Sequence, residues 1–276
     1  MVARLTRLFL APAMLAALLA PSPALPADND RTLLLGTTTS VDNSGLLGPL
    51  LGAFHDETGI EVRTVVRGTG AILQLGRSGD FDVVLVHHPE AEEAFVAGGD
   101  GTARHPVMTS RFLIVGPRDD PADVRSAADA ADALGRIANG KFDFISRGDE
   151  SGTNAAERGL WGRAGLSPWT DRTGWYRETG AGMGATLNMA SVLSAYTFTE
   201  SGSWTNFANR GELTILFEGG SHLANPYAII PINPERHPHV AAQAAKSLVD
   251  WLTGPVGQSF IAAFRVDGTP PFAPVR

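Results

Sequence analysis

The chain has 276 residues, 43% of them apolar, which suits one large globular domain or two lobes of ordinary size and excludes a disordered chain. Its formal charge is -7 and no basic run offsets it, which argues against nucleic acid or an anionic membrane surface as a partner. It contains no cysteine, so disulfides, thiolate metal sites and a lipid-attachment thiol are excluded.

The first segment, residues 1–27, reads as an export signal. Arg4 and Arg7 precede an apolar run from Leu8 to Ala20, and prolines at 21, 23 and 26 among small residues lead to a cleavage point after Ala24 or Ala27. The run is too short to span a bilayer, and its loss would take Arg4 and Arg7 with it, moving the charge from -7 to -9. No later stretch approaches the roughly 20 apolar residues of a membrane-spanning helix. The mature chain is therefore expected in the periplasm, soluble and with no stable membrane insertion.

From Thr32 onward short apolar runs alternate with longer amphipathic ones. Strands are predicted at 32–36 (TLLLG), 61–66 (EVRTVV), 81–87 (FDVVLVH), 111–117 (RFLIVGP), 141–146 (KFDFIS), 195–199 (AYTFT), 213–217 (LTILF) and 226–232 (PYAIIPI). Most are continuously apolar, the pattern of parallel strands buried on both faces. The first predicted helix, 46–59, puts Leu46, Leu47, Leu50, Leu51 and Phe54 on one face, although Pro49 obscures its start. Further helices are predicted at 91–99, 126–140, 153–165, 184–193 and 239–254, the last aligning Val240, Ala244, Leu248 and Trp251. The alternation predicts an α/β fold with mainly parallel sheets. Two stretches, 110–118 and 219–234, are candidate crossings between lobes. They divide the chain into a discontinuous first lobe, 28–113 with 223–276, and a second lobe, 114–222.

Three times a predicted strand runs into small hydroxyl and glycine residues and then into a helix: LLLGTTTSVDNSGLL (33–47), VVRGTGAILQLG (65–76) and FDFISRGDESGTNAAERGLW (142–161). In open α/β sheets ligands sit beyond the carboxyl ends of strands, where helix N-termini offer free N–H groups and a partial positive charge. Serine and threonine hydroxyls rotate to donate, glycine admits a close backbone approach, and Arg147 supplies a planar fork matched to an oxyanion. Each loop taken singly has a plainer reading: an N-capping run at TTTS, a turn at GTG, and a cap in which Asn154 pairs with Glu157. Arg147 could likewise bond Asp149 or Glu150 merely to shape its loop, or be oriented by Asp149 toward a ligand. The recurrence of the pattern together with Arg147 favours an anion.

TTTSVDNSGLL, GTGAILQLGRSGDFDVVLVHHP, SRGDESGTNAAE, WYRETGAGMGATLNMAS, AYTFTESG and NPYAIIPINP together resemble the periplasmic tungstate-binding proteins of ABC importers, over nearly the whole mature chain. TTTS and SRGDxSGT are the most specific signatures of that family, and both are intact. The resemblance implies a type II periplasmic-binding-protein fold, with two α/β lobes, two crossing strands and a ligand cleft between them. It places Thr38, Thr39 and Ser40 on one wall with Thr69 and Gly70 beside them, and Arg147, Ser151, Gly152 and Thr153 on the other. It further implies tungstate or molybdate as the carried ligand, delivery to an ABC permease and its ATPase, a monomer, no cofactor and no catalytic role. Asn154 stands where many members have histidine, and Pro49 interrupts the first helix; neither is an expected ligand donor.

RGDESGT is also similar to the R-x-D-x-S-G-T loop of periplasmic phosphate-binding proteins. Phosphate near neutral pH keeps a proton, and a selective site needs a buried acceptor for it. The acid expected there follows a DF pair at the end of a first-lobe strand, whereas here Asp82 comes too early and Val86, His87 and His88 follow. The acceptor is thus expected to be missing, which favours a fully deprotonated oxyanion. An exported phosphate-ester hydrolase using Ser40 or Ser151 is the reading from a different class; no G-x-S-x-G occurs, and His55 falls on a helix well beyond TTTS. His87 and His88 point to opposite faces of a strand end without a third metal ligand at suitable spacing. GAGMGATLNMAS lacks the Gly-Lys-Ser/Thr ending of a phosphate loop and is expected to line the cleft through Met183 or Gly184.

Overall fold

The structure is a computed structural model that describes residues 32–170 and 173–275; the export signal expected at 1–27 lies outside the described residues. Strand β1 (Thr32–Thr38) runs directly into the short helix α1 (Thr39–Asn43), and a turn at Gly45 leads to α2 (Leu47–Thr58). Pro49 falls at the third position of α2, where a backbone N–H has no helical partner, and the first helical bond runs from Leu50 N to Leu46 O. The chain continues through β2 (Glu61–Arg67), α3 (Thr69–Arg77), β3 (Val83–Val86), α4 (Pro89–Ala97) and the long strand β4 (His105–Pro117). Then come α5 (Ala130–Gly140), β5 (Phe144–Ser146), α6 (Gly152–Arg163), β6 (Tyr176–Glu178), α7 (Met183–Leu193), β7 (Tyr196–Glu200), α8 (Ser201–Asn206) and β8 (Leu213–Glu218). The chain closes with β9 (Ala224–Pro231), α9 (Ala242–Thr253), α10 (Pro255–Ala263) and β10 (Ala273–Pro274).

Strand β4 belongs to two sheets. Its first half, through Arg111, pairs with β9 in the order β2-β1-β3-β9-β4, and its second half, from Phe112, pairs with β7 in the order β4-β7-β5-β6, with β8 also bonded to it. Parallel pairing joins β1 to β2 and β3, and β5 to β6 and β7, as strand-helix-strand crossovers require. Every antiparallel pairing among the named strands involves β4 or β9.

Buried apolar side chains divide at the middle of β4. Leu33, Leu35, Leu50, Phe54, Met108, Tyr227, Leu248 and Trp251 pack together on one side; Ile114, Leu134, Ile137, Phe144, Trp161, Tyr176 and Phe198 pack on the other. In the second group the Phe144 ring meets Trp161 edge-on at 5.2 Å and stacks on Tyr176 at 5.8 Å. Burying a phenylalanine contributes roughly 1.5–3 kcal/mol, so this cluster fixes β5, β6 and α6, which flank the Arg147 loop.

The structure adjusts several predicted boundaries for local reasons. β4 starts at His105 rather than 111 because Val107, Met108 and Ser110 are buried in the first sheet. The strand expected over 141–146 shortens to Phe144–Ser146, since α5 runs to Gly140 and Lys141 takes a left-handed φ of 50° to end it. Asp82 tethers backbone instead of facing a ligand: its carboxylate accepts from Leu34 N at 2.6 Å and Ala241 N at 2.7 Å. Helix α10 and the three-residue β6 were not anticipated; α10 packs on α9 and α2, which its apolar Phe260 and Ile261 make possible.

Candidate functional site

The carboxyl ends of β1, β2, β3, β5 and β7 deliver the side chains that meet between the two sheets. β1 ends at Thr38, whose successors Thr39 and Ser40 open α1, and β2 ends one residue before Gly68, which precedes Thr69 at the first position of α3. Opposite them, β5 ends at Ser146, and the loop 147–151 turns sharply into α6. Gly148 and Glu150 both adopt left-handed φ values, 58° and 57°. A side chain at 148 would also place its Cβ 2.5 Å from Glu178 Cβ, so glycine is required there for space as well as conformation.

That turn folds Arg147 against Asp149. Arg147 donates to Asp149 Oδ2 from Nη2 at 2.6 Å and from Nε at 3.1 Å. The other carboxylate oxygen accepts from the Ser151 hydroxyl at 2.6 Å, and Ser151 caps α6 by accepting from Asn154 N at 3.3 Å. Shaping the loop and orienting the arginine are therefore one contact network rather than alternatives. From behind, the Thr179 hydroxyl donates to Arg147 O at 3.1 Å.

The two walls touch. Arg147 is only 2% exposed, and its guanidinium reaches Thr39 Oγ1 at 3.4 Å on the first wall and Thr153 Oγ1 at 3.3 Å on its own. A Cβ on Gly152 would lie 3.0 Å from His87 Cε1 and 3.1 Å from Thr69 Oγ1, so only glycine allows this approach without displacement. Between the walls stands a carboxylate, Glu200, at the end of β7 and 1% exposed. Its Oε1 accepts from Ser40 Oγ at 2.8 Å and from the Thr153 hydroxyl, and lies 3.6 Å from Arg147 Nη1. Ser40 Oγ is also 3.2 Å from His87 Nε2, and His87 Nδ1 is 2.9 Å from Asn225 Oδ1. The amide nitrogen of Asn225 donates to Ser110 and Tyr227, which directs its oxygen to the imidazole and places the ring proton on Nδ1. Burial lowers the His87 pKa, against the opposing pull of Glu200, so the ring is neutral near pH 7.

Most of the expected site residues converge: Thr39, Ser40, Thr69, Arg147, Gly152 and Thr153 all contact across or along the cleft through the distances above. Among the described residues, the buried hydroxyls of Thr38 and Thr69 find no hydrogen-bond partner, nor does Glu200 Oε2. Ser151 is present, but its hydroxyl hydrogen is committed to Asp149. Gly70 is exposed one residue beyond Thr69, with the Glu150 carbonyl 3.9 Å from its Cβ position.

Three expectations need correction. The site does contain an acid: Glu200 arrives from the strand YTFTE, not from the strand DFDVVLV, whose end is where a phosphate site would carry it. Locally AYTFTES only ends an apolar strand in an acid before a Ser-Gly-Ser helix start, and nothing in that stretch says which hydroxyls the acid will meet. His87, considered in the sequence only as a metal ligand, is a buried partner of Ser40, and Asn225 holds it. Asn154 and Glu157 do not cap α6 together; Ser151 is the cap, and Glu157 turns inward to accept from Ser146, Tyr176 and Trp161 at 2.8, 2.9 and 3.1 Å. Desolvation raises the Glu157 pKa to about 7 despite these bonds. Met183 is a core side chain packed with Leu113, Val115 and Ile145, while Gly184 is exposed. Among the described residues no group of three histidine or acidic side chains could hold a metal ion.

The line Ser40–His87–Asn225 has the connectivity of a nucleophile, a base and an orienting group. Ser40 is buried, however, and its single hydroxyl hydrogen goes to Glu200 Oε1 at 2.8 Å, so it is not handed to the imidazole as a nucleophile requires. What remains is a dehydrated guanidinium with the uncommitted hydroxyls of Thr38 and Thr69 at the starts of α1 and α3, a donor set for one small anion. Two sheets sharing a crossing strand, with such a site between them, define a solute-binding protein.

A family profile described as the PBP superfamily domain matches residues 24–256. The tungstate-binding protein TupA of Peptoclostridium acidaminophilum is 41% identical over 247 residues, 88% of this chain and 85% of that protein. Among solved structures, the TupA protein of Desulfovibrio alaskensis G20 matches with 42% identity and a TM-score of 0.78, covering 88% of this chain and 98% of that one. A structure described as the tungstate ABC transporter of Geobacter sulfurreducens matches equally, with 42% identity and a TM-score of 0.78 over 86% of this chain and all of that one. The chain belongs to the PBP superfamily and has the type II periplasmic-binding-protein fold; it is a binding protein and not an enzyme.

Proposed function

We propose that this protein is the solute-binding component of an ABC importer and captures tungstate, or the closely similar molybdate, in the periplasm for delivery to a membrane permease. The observation that carries the reading is the buried guanidinium of Arg147, held by Asp149 and aimed between walls rich in hydroxyls, in a chain 41% identical to a tungstate-binding protein. A tetrahedral metal oxyanion brings two negative charges out of water, which is costly unless they are hydrogen-bonded and partly neutralised. Thr38, Thr39, Ser40, Thr69 and Gly70 would bind from the first wall, and Arg147, Ser151, Gly152 and Thr153 from the second. Gly152 would act through its backbone N–H at the start of α6, and Ser151, whose N–H and hydroxyl both donate to Asp149 Oδ1, would have to release one of them to the anion.

In this reading residues 1–27 direct export and are removed. The lobes are 28–113 with 223–276, and 114–222, and they close about the crossing strands when the anion bridges them. The protein works as a monomer without a cofactor, the oxyanion being its cargo, and an ATPase powers the permease it serves. A second reading, phosphate, is favoured by one observation: Glu200 supplies the buried acceptor that hydrogen phosphate needs.

Calorimetry of the mature protein against tungstate, molybdate, sulfate and phosphate separates these readings. Tungstate is expected to bind tightest and phosphate barely. Arg147→Ala is expected to weaken tungstate by about 2–5 kcal/mol, the usual loss when a buried hydrogen-bonded charge is truncated. Phosphate binding tighter than tungstate would replace the tungstate reading with the phosphate one.

A further inference from the structure

Glu200 is a buried carboxylate placed among the very groups that would hold the anion. Its Oε1 takes the hydroxyl hydrogens of Ser40 and Thr153 and faces Arg147 Nη1 at 3.6 Å, while its Oε2 is buried without a partner among the described residues. The groups that face it are Arg147 from the loop after β5, His87 after β3 and Tyr227 on β9, with Asp149 behind Arg147. Arg147 is the one cation in that set at neutral pH, and it already neutralises Asp149. A dianion set beside an ionised Glu200 would add two charges to a site with no cation to spare, and like charges at such separations in a dry interior repel strongly.

We propose that oxyanion binding by this protein is proton-coupled through Glu200: a tetrahedral dianion enters with one proton from solvent, which converts the Glu200 carboxylate to a neutral carboxyl. The inference rests on the oxyanion-binding reading above. The proton adds to a carboxylate oxygen and no other bond is made or broken. Once neutral, Glu200 competes weakly for the Ser40 and Thr153 hydroxyl hydrogens, which turn to the anion, and the carboxyl O–H becomes a further donor. His87 does not take the proton at Nε2 in its place, because its buried imidazole resists charging. The coupling also makes Glu200 a specificity-determining residue. Hydrogen phosphate can supply the proton itself, whereas tungstate, molybdate and sulfate must draw it from the medium.

Titration calorimetry with sodium tungstate at pH 7.5, repeated in three buffers of different ionisation enthalpy and free of phosphate, reads the proton count directly. About one proton is expected to be taken up per tungstate bound, and the dissociation constant is expected to rise roughly tenfold from pH 7 to pH 8. In Glu200→Gln the uptake falls to near zero and the affinity becomes flat with pH. Tungstate that binds the native protein with no proton uptake and a pH-independent affinity overturns the coupling while leaving the oxyanion reading intact. A Glu200→Gln protein that still takes up a full proton overturns the assignment to this residue. No heat with any of the four oxyanions removes both readings together.

Discussion

Glu157 offers a test of the energetics beneath the Arg147 loop. Its carboxyl is buried, and desolvation raises its pKa from 4.5 to about 7 in the folded protein. Between those values the folded state holds a proton that the unfolded state has released, so stability falls as pH rises from about 4.5 and levels off above about 7. The rise from 4.5 to about 7 amounts to about 3 kcal/mol, a sizeable part of the roughly 5–15 kcal/mol expected of a folded domain. Urea unfolding at pH 5, 6, 7 and 8 would show the decline, and Glu157→Gln should largely abolish it, because an amide can accept from Tyr176 and Trp161 without ionising. His87 contributes in the opposite sense: its lowered pKa makes stability fall as pH drops below about 6.5, and it cancels in the difference between the two proteins. If the native protein and Glu157→Gln lose stability in parallel between pH 5 and 8, Glu157 is not the buried, reluctant acid described here.

Gly152→Ala should cost about 1–3 kcal/mol of ligand-free stability and also weaken tungstate tenfold or more, because its Cβ would press on His87 and Thr69 across the cleft. Calorimetry beside urea melts checks both halves, and an unchanged affinity would mean the walls do not meet there when the anion binds. Arg104→Ala strips the partner, at 2.6 Å, from the fully buried Glu92 and should cost about 3–5 kcal/mol at pH 8. The loss should shrink at pH 5, because burial already raises the Glu92 pKa and Arg104 opposes that rise, so its removal favours the neutral acid. A loss that is equal at both pH values would contradict this account of the pair.

Several features of this protein follow from local sequence. The apolar strands, the glycine and hydroxyl loops after them, and the amphipathic helices between them state an α/β plan, because each is a short-range pattern of burial and turn chemistry. Arg147 and its flanking glycine and acid also belong to local chemistry: a left-handed Gly148 and an Asp149 two residues on suffice to fold the guanidinium back. Thr39, Ser40, Thr69 and Thr153 share this legibility, since hydroxyls at helix starts mark themselves.

Glu200, His87 and Asn225 do not. They lie 160, 47 and 185 positions from Ser40, and nothing in their own neighbourhoods says that one hydroxyl will join the first two while the third holds the imidazole. Only the pairing of β7 with the second half of β4, and of β9 with its first half, brings the ends of those strands to one place. The same pairing buries them, and burial is what makes an unpartnered carboxylate oxygen, a neutral imidazole and a reluctant Glu157 consequential. Sequence determined the donors for an anion; the tertiary structure decided that an acid stands among them, because charge in a dry cleft depends on who is adjacent in space, not along the chain.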